Sequence, residues 1–181
     1  MIALQDRSGW FGASDTAQIM RPWTTKTFAK WWAEKLGITH SRFTTPAMRA
    51  GTYYEHRILD AIGIRTRDRQ IKIRSLHLRV NLDGEDKTTV YEVKTHKGDF
   101  KVTKAYREQC QVEMYASKKK CVIVAYRLTE DDYTNYFNQI DPAQITYHEI
   151  EYDADWIKNE YLPRLRTLRT ALRERRLPRA A

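Results

Sequence analysis

The chain has 181 residues, 41% of them hydrophobic and 30% charged, which fits one globular domain with a real core and excludes an intrinsically disordered composition. No apolar run approaches the roughly 18 residues of a membrane span, and the opening MIALQDRSGW lacks the basic start and apolar stretch of a secretory signal. Lys and Arg number 32 against 23 Asp and Glu, a net charge of +9, and this surplus points to a polyanionic partner because phosphate neutralisation supplies most of non-specific nucleic-acid affinity.

The N-terminal third reads as helical. Ser14 is placed to cap a short helix, SDTAQIM, that ends before Pro22, and Thr24 to cap a second, TKTFAKWWAEKL, that stops at Gly37. A third helix over about 47–62 follows Pro46 and ends at Gly63, with Met48, Gly51, Glu55, Ile58, Leu59 and Ile62 as its inward stripe. Glu55 is the carboxylate in that stripe, and burying it calls for a cation or a strong donor. At least one of Trp31 and Trp32 belongs in the core.

The period then changes from helical to alternating. QIKIRSLHLRVNL alternates apolar and basic residues, TTVYEVKT is rich in β-formers, and DGED between them supplies a hairpin turn. A helix over about 103–117 comes next, then the strand CVIVAY, a strand near 133–139 and a short one near 145–150. The last element is an arginine-rich helix over about 153–177, kinked or restarted at Pro163. With no linker or repeat, residues 1–181 read as a single α/β domain, a central mixed β-sheet flanked by helices. Cys110 and Cys121 lie in different predicted elements without metal-ligand spacing, which reads as two free thiols in a reducing, cytoplasmic compartment and leaves too few cysteines for an iron–sulfur cluster.

One constellation carries chemistry. Period-two geometry sends Val90, Glu92 and Lys94 to one side of their strand and Tyr91 and Val93 to the other. Asp83 ends the preceding strand across the hairpin. Two carboxylates suit Mg²⁺ or Mn²⁺ and with it phosphodiester hydrolysis, and a lysine beside them orients water and stabilises developing negative charge. Of three acidic-x-Lys triplets, Glu85–Lys87, Glu92–Lys94 and Asp99–Lys101, only the middle one lies in an apolar β-rich run. The bland alternative is a surface ion pair on an edge strand. Gln109, on the helical stripe Ala105, Gln109, Val112 and Ala116, is either a satisfied core amide or a further member of the site. Convergence with Glu55 favours the second reading.

With these motifs the sequence resembles the lambda exonuclease family, the phage recombination (alkaline) exonucleases of the PD-(D/E)XK superfamily. The resemblance runs from about Arg7 to Ser117 through RSGWFGAS, GTYYEHRILDAIG, NLDGE with VYEVKTH, and YREQCQVEMYAS, in that order. It implies a restriction-endonuclease-like core in which Asp83, Glu92 and the Val93 backbone carbonyl bind metal and Lys94 assists the attacking water. It further implies Glu55 as an acid or metal-shell ligand and Gln109 as a positioner of water or phosphate. Arg7 and Ser14 match positions that engage a 5′-phosphate, a task suited to the guanidinium fork. The family often has Cys-Pro after its Glu-x-Lys where this chain has Thr95–His96, so His96 is either an exposed turn residue or an extra phosphate contact.

The implied activity is a 5′→3′ exonuclease on double-stranded DNA ends using two Mg²⁺ ions, with Mn²⁺ as a substitute. By resemblance it works in phage-type recombination, in the bacterial host cytoplasm, with a single-strand annealing protein as partner. Some relatives form ring-shaped homotrimers, but this chain is shorter than typical members. Two other readings stay open: a structure-specific or nicking endonuclease of the same superfamily, and a non-catalytic DNA-binding module.

Overall fold

A computed structural model describes residues 8–39 and 45–179. Five strands form one mixed sheet in the order β1-β2-β3-β4-β5: β1 (Thr66–Ile73), β2 (Leu78–Glu85), β3 (Thr89–His96), β4 (Lys120–Arg127) and β5 (Ile145–Ile150). Neighbours are antiparallel except β3 and β4, which run parallel. A parallel pair needs a crossover, and α4 (Lys104–Ser117) supplies it. The remaining helices are α1 (Thr16–Met20), α2 (Lys26–Lys35), α3 (Pro46–Ala61), α5 (Ala154–Trp156) and α6 (Leu162–Arg173). The expected α/β architecture is the one observed.

Helices cover the two sheet faces unequally. Phe28, Trp31, Trp32, Val112, Leu165 and Leu168 pack from helices onto Leu78, Val80, Leu82, Val90 and Ile123. On the other face, Ala50, Tyr54, Ile58 and Leu59 of α3 pack onto Val93, Val124 and Tyr126. Both tryptophans of the Trp31–Trp32 pair are in the core.

Local signals err where side chains compete with the backbone. Thr25, not Thr24, caps α2 by accepting from Phe28 N–H at 3.2 Å. Ser14 is exposed within a 3-10 turn, Ala13–Asp15, and caps nothing. On α3, Met48 points out at 56% exposure, whereas Ala50 and Tyr54 are fully buried. Ala105 of α4 is likewise exposed. The run QIKIRSLHLRVNL is two strands, broken by a 3-10 turn at Arg74–Leu76 and by His77 with φ 51°. Asp83, Gly84 and Glu85 stay in β2, so the β2–β3 turn lies just beyond them.

No strand forms over 133–139. Asp132 there accepts from Tyr54, Thr129 and Asn138, and Arg57 of α3 donates to the carbonyls of Tyr136, Phe137 and Asn138. Side chains satisfy this segment's polar groups, and no ladder is needed. At the C-terminus Asp153 caps α5, a π-helical turn at Ile157–Tyr161 absorbs the irregularity before Pro163, and α6 ends at Arg173, short of 177. Among the described residues no helix is long and apolar enough to cross a membrane.

Candidate active site

The sheet opens between β2 and β3. Their register holds at Glu85↔Val90 and Gly84↔Tyr91 and then stops, so the next pair across the strands, Asp83 and Glu92, sits at the fork. On the other side of β2 the ladder skips Asp83 as well, because Asp68 opposite it adopts φ 56°. Asp83 Oδ2 instead accepts from Val93 N–H at 2.9 Å. In a strand a residue's N–H and C=O face the same neighbour, so the Val93 carbonyl also turns to the fork.

Glu92 is 3% exposed. Its Oε1 accepts from Lys94 Nζ at 2.5 Å and Gln109 Nε2 at 2.6 Å, while its Oε2 is buried with no hydrogen-bond partner. Lys94 Nζ also approaches Gln109 Oε1 at 3.4 Å and lies over the Tyr106 ring. Alternation on β3 puts Glu92 and Lys94 on the side that α4 covers, as the spacing requires. At Gly51 α3 lies against β3, where a Cβ would stand 3.4 Å from Thr95 Oγ1, close to ordinary contact. Glu55, one turn further along α3, is half-buried at this fork rather than fully buried.

Electrostatics mark the fork as carboxylate-rich. Burial, then the charges of Glu92 and Glu55, push the Asp83 carboxyl well above its usual range. Burial and Glu92 also raise Glu55. Burial pulls Lys94 down, but the charge of Glu92 and its hydrogen bond outweigh that and leave Lys94 more basic than an ordinary lysine. Lys94 is therefore a fixed cation.

Three neighbours escaped the sequence reading. Glu113, fully buried on α4, accepts from the same Gln109 Nε2 at 2.8 Å and from Cys121 Sγ at 3.6 Å. Burial, then Glu92, raises its carboxyl well above the usual range. Its i+4 spacing from Gln109 was the available signal. His56 and Asp68 pair at 3.0 Å, with Glu55 3.9 Å from the same imidazole nitrogen; Asp68 carried no sequence signal.

The structure thus brings together Glu55, Asp83, Glu92, Val93, Lys94 and Gln109. Ser14 follows a segment that docks on β2 through Phe11 and Arg79, and Arg7 lies outside the described residues. His96 is half-buried at the end of β3 against Phe100, not an exposed turn residue.

The donor set suits a hard divalent cation. All its donors are oxygens, the carboxylates outnumber Lys94, and the orphaned Glu92 Oε2 lacks a positive partner. The three-donor groups within 4.8 Å of one another, among the described residues, are Glu55–His56–Asp68 and Cys110–Glu113–Cys121. Asp83 and Glu92 belong to neither, because each is already turned to a protein donor at Val93, Lys94 or Gln109.

No family model and no curated protein matches the chain. Solved structures do, and they define its class as an exonuclease-like α/β fold. The alkaline exonuclease LHK-Exo from Laribacter hongkongensis aligns over 93% of this chain and 90% of its own, with TM-score 0.69 and 21% identity. A phage-related exonuclease from Haemophilus somnus 129PT aligns over 92% and 96%, with TM-score 0.63 and 13% identity. The protein SSO0001 aligns over 99% and 83%, with TM-score 0.53 and 16% identity.

Proposed function

We propose that the chain is a metal-dependent DNA exonuclease of the lambda exonuclease family, acting 5′→3′ on double-stranded ends. The observation that carries this reading is the surplus of buried carboxylate, with an orphaned Glu92 Oε2, at the fork of a sheet whose fold is shared with two exonuclease structures. Asp83, Glu92 and the Val93 carbonyl would hold Mg²⁺ or Mn²⁺, which supplies a Lewis acid for the phosphoryl group.

The chain's own residues do the rest. Lys94, held protonated by Glu92, donates to the phosphate and stabilises its developing charge. Gln109 fixes Glu92 and Lys94 relative to one another. Glu55, raised above the ordinary carboxylate range, is suited to take the proton from the attacking water. Arg7 and Ser14 engage the 5′-phosphate. A role in phage-type recombination in the bacterial cytoplasm, with a single-strand annealing protein as partner, completes the proposal.

The test digests two matched DNAs, one linear with 5′-phosphates and one closed circular, with Mg²⁺ and with EDTA. Loss of the linear DNA alone, blocked by EDTA, is the expected result. Nicking of the circle would replace the exonuclease by an endonuclease, and intact DNA with both Mg²⁺ and Mn²⁺ would leave only a binding module.

A further inference from the structure

Behind the fork, α4 and β4 bury three ligand-forming side chains that the nuclease chemistry does not use. Cys110 and Glu113 lie three residues apart on α4 and so share one face of it. Cys121 stands on β4, paired with Val90 of β3. All three are at most 1% exposed. Cys110 Sγ, Cys121 Sγ and one carboxylate oxygen of Glu113 lie within 4.8 Å of one another.

Two buried thiols alone are ordinary packing, since free cysteine behaves as a small hydrophobe. A fully buried glutamate beside them is not, because an uncompensated carboxylate is costly there. Its donors are one amide and one thiol: Oε1 accepts from Gln109 Nε2 at 2.8 Å and Oε2 from Cys121 Sγ at 3.6 Å. Among the described residues no basic side chain lies within ion-pair distance of Glu113. Burial and the Glu92 charge push its carboxyl up, and the bond to Cys110 together with burial pushes the Cys121 thiol up. Alone, the three groups keep their protons; a dication among them would compensate all three as anions.

We propose that Cys110, Glu113 and Cys121 form a structural site for a borderline-soft divalent cation of the zinc type, separate from the oxygen-lined fork. Thiolates select such ions over Mg²⁺. With metal–sulfur bonds near 2.3 Å and metal–oxygen bonds near 2.1 Å, a tetrahedral zinc ion spaces a sulfur and an oxygen ligand by about 3.6 Å. Cys121 Sγ and Glu113 Oε2 are 3.6 Å apart. Oε2 binds the ion while Gln109 keeps Oε1, the outer hydrogen bond that orients a metal-bound carboxylate. As two metal–sulfur bonds and one metal–oxygen bond form, the two thiol protons and the carboxyl proton leave to solvent. A water completes four-coordination. Gln109 Nε2 also donates to Glu92 Oε1 at 2.6 Å, so the ion braces the face of α4 that holds Glu92. The inference does not depend on the nuclease reading.

The test titrates the full-length protein with Co²⁺ in a non-thiol reductant and follows thiolate-to-metal charge-transfer absorption until it is constant. The chain has two cysteines, so this absorption reports the proposed site and is blind to Co²⁺ at the fork. The expected result is one thiolate-bound Co²⁺ per chain, displaced by Zn²⁺ and not by excess Mg²⁺. Melting temperature should rise as well, because the ion binds the folded chain. Cys121→Ala and Glu113→Gln, each confirmed as folded by circular dichroism, should weaken Co²⁺ binding by more than the roughly 10–100-fold cost of losing an outer-shell partner. No charge-transfer absorption from folded wild type overturns the site, as does unchanged affinity in both variants. Absorption that comes with a lowered melting temperature would place the ion on thiols of the unfolded chain and overturn it too.

Discussion

Two of the buried charge clusters among the described residues are built in opposite ways. At the N-terminal side Asp15 meets one lysine and is saturated: Lys35 Nζ at 2.5 Å, Gly12 N–H at 2.7 Å and Trp31 Nε1 at 2.9 Å all donate to it. Lys35, 4% exposed, gives a further hydrogen to the Trp10 carbonyl. At the fork of β2 and β3, Glu55, Asp83 and Glu92 crowd around a single Lys94, and one buried oxygen of Glu92 has no donor. The first cluster closes its own account of charge and hydrogen bonds and ties α2 to the N-terminal segment. The second is left short of positive charge, which costs folding energy and is the feature on which the proposed binding of a cation and a phosphate rests.

The sharpest way to break this comparison is to remove the crowded charge. Asp83→Asn and Glu92→Gln are each expected to slow hydrolysis by on the order of 10⁴-fold, about 5 kcal/mol at tenfold per 1.36 kcal/mol. In EDTA, Asp83→Asn melts at or above the wild-type temperature, because an amide oxygen can still accept from Val93 while a like charge is gone. A clear drop in melting temperature would put Asp83 in the same class as Asp15.

The reverse test strikes the satisfied pair. Lys35→Met strands the Asp15 carboxylate and should destabilise by about 3–5 kcal/mol, read by urea denaturation, with the folded fraction hydrolysing DNA at the wild-type rate. Loss of activity from folded protein would show that the two clusters are coupled. Divalent cation then separates them further: Mg²⁺ at a hundred times its dissociation constant should stabilise wild type and Lys35→Met by about 2.7 kcal/mol, and Asp83→Asn hardly at all. Equal stabilisation of all three would move the metal elsewhere.

The smallest expected effect is a pH slope from Glu113. Burial and Glu92 raise its carboxyl in the folded chain, so above the ordinary value of 4.5 the unfolded chain releases a proton that the folded chain keeps. Stability then falls as pH rises from that value toward the raised one, by up to about 1.4 kcal/mol per unit. Glu113→Gln should remove this component of the slope. Identical wild-type and variant slopes would mean that Glu113 ionises in the fold and cannot be the neutral acceptor behind Gln109.

Alternation and spacing alone determined much of this protein. Glu92 and Lys94 share a side because strand side chains repeat every two residues, and the hairpin brings Asp83 opposite whatever the rest of the chain does. The helix after Pro46 was legible from that proline and from Gly63, a helix over about 103–117 was expected and forms as Lys104–Ser117, and the mixed α/β plan followed from the order of periods. Tertiary structure decided the rest. Glu113 stood out in no local hydrophobic pattern and became buried only where α4 packs on the sheet, and Asp68 became a neighbour of Glu55 and His56 only through its own left-handed backbone opposite Asp83. The segment at 133–139 has strand-like composition, yet Arg57 and Asp132 satisfy its polar groups from a distance in sequence. Local periodicity fixes which way a side chain leaves its own strand or helix. Which remote surface it then meets, and whether that meeting leaves an oxygen without a donor, depends on packing between elements that no local pattern encodes.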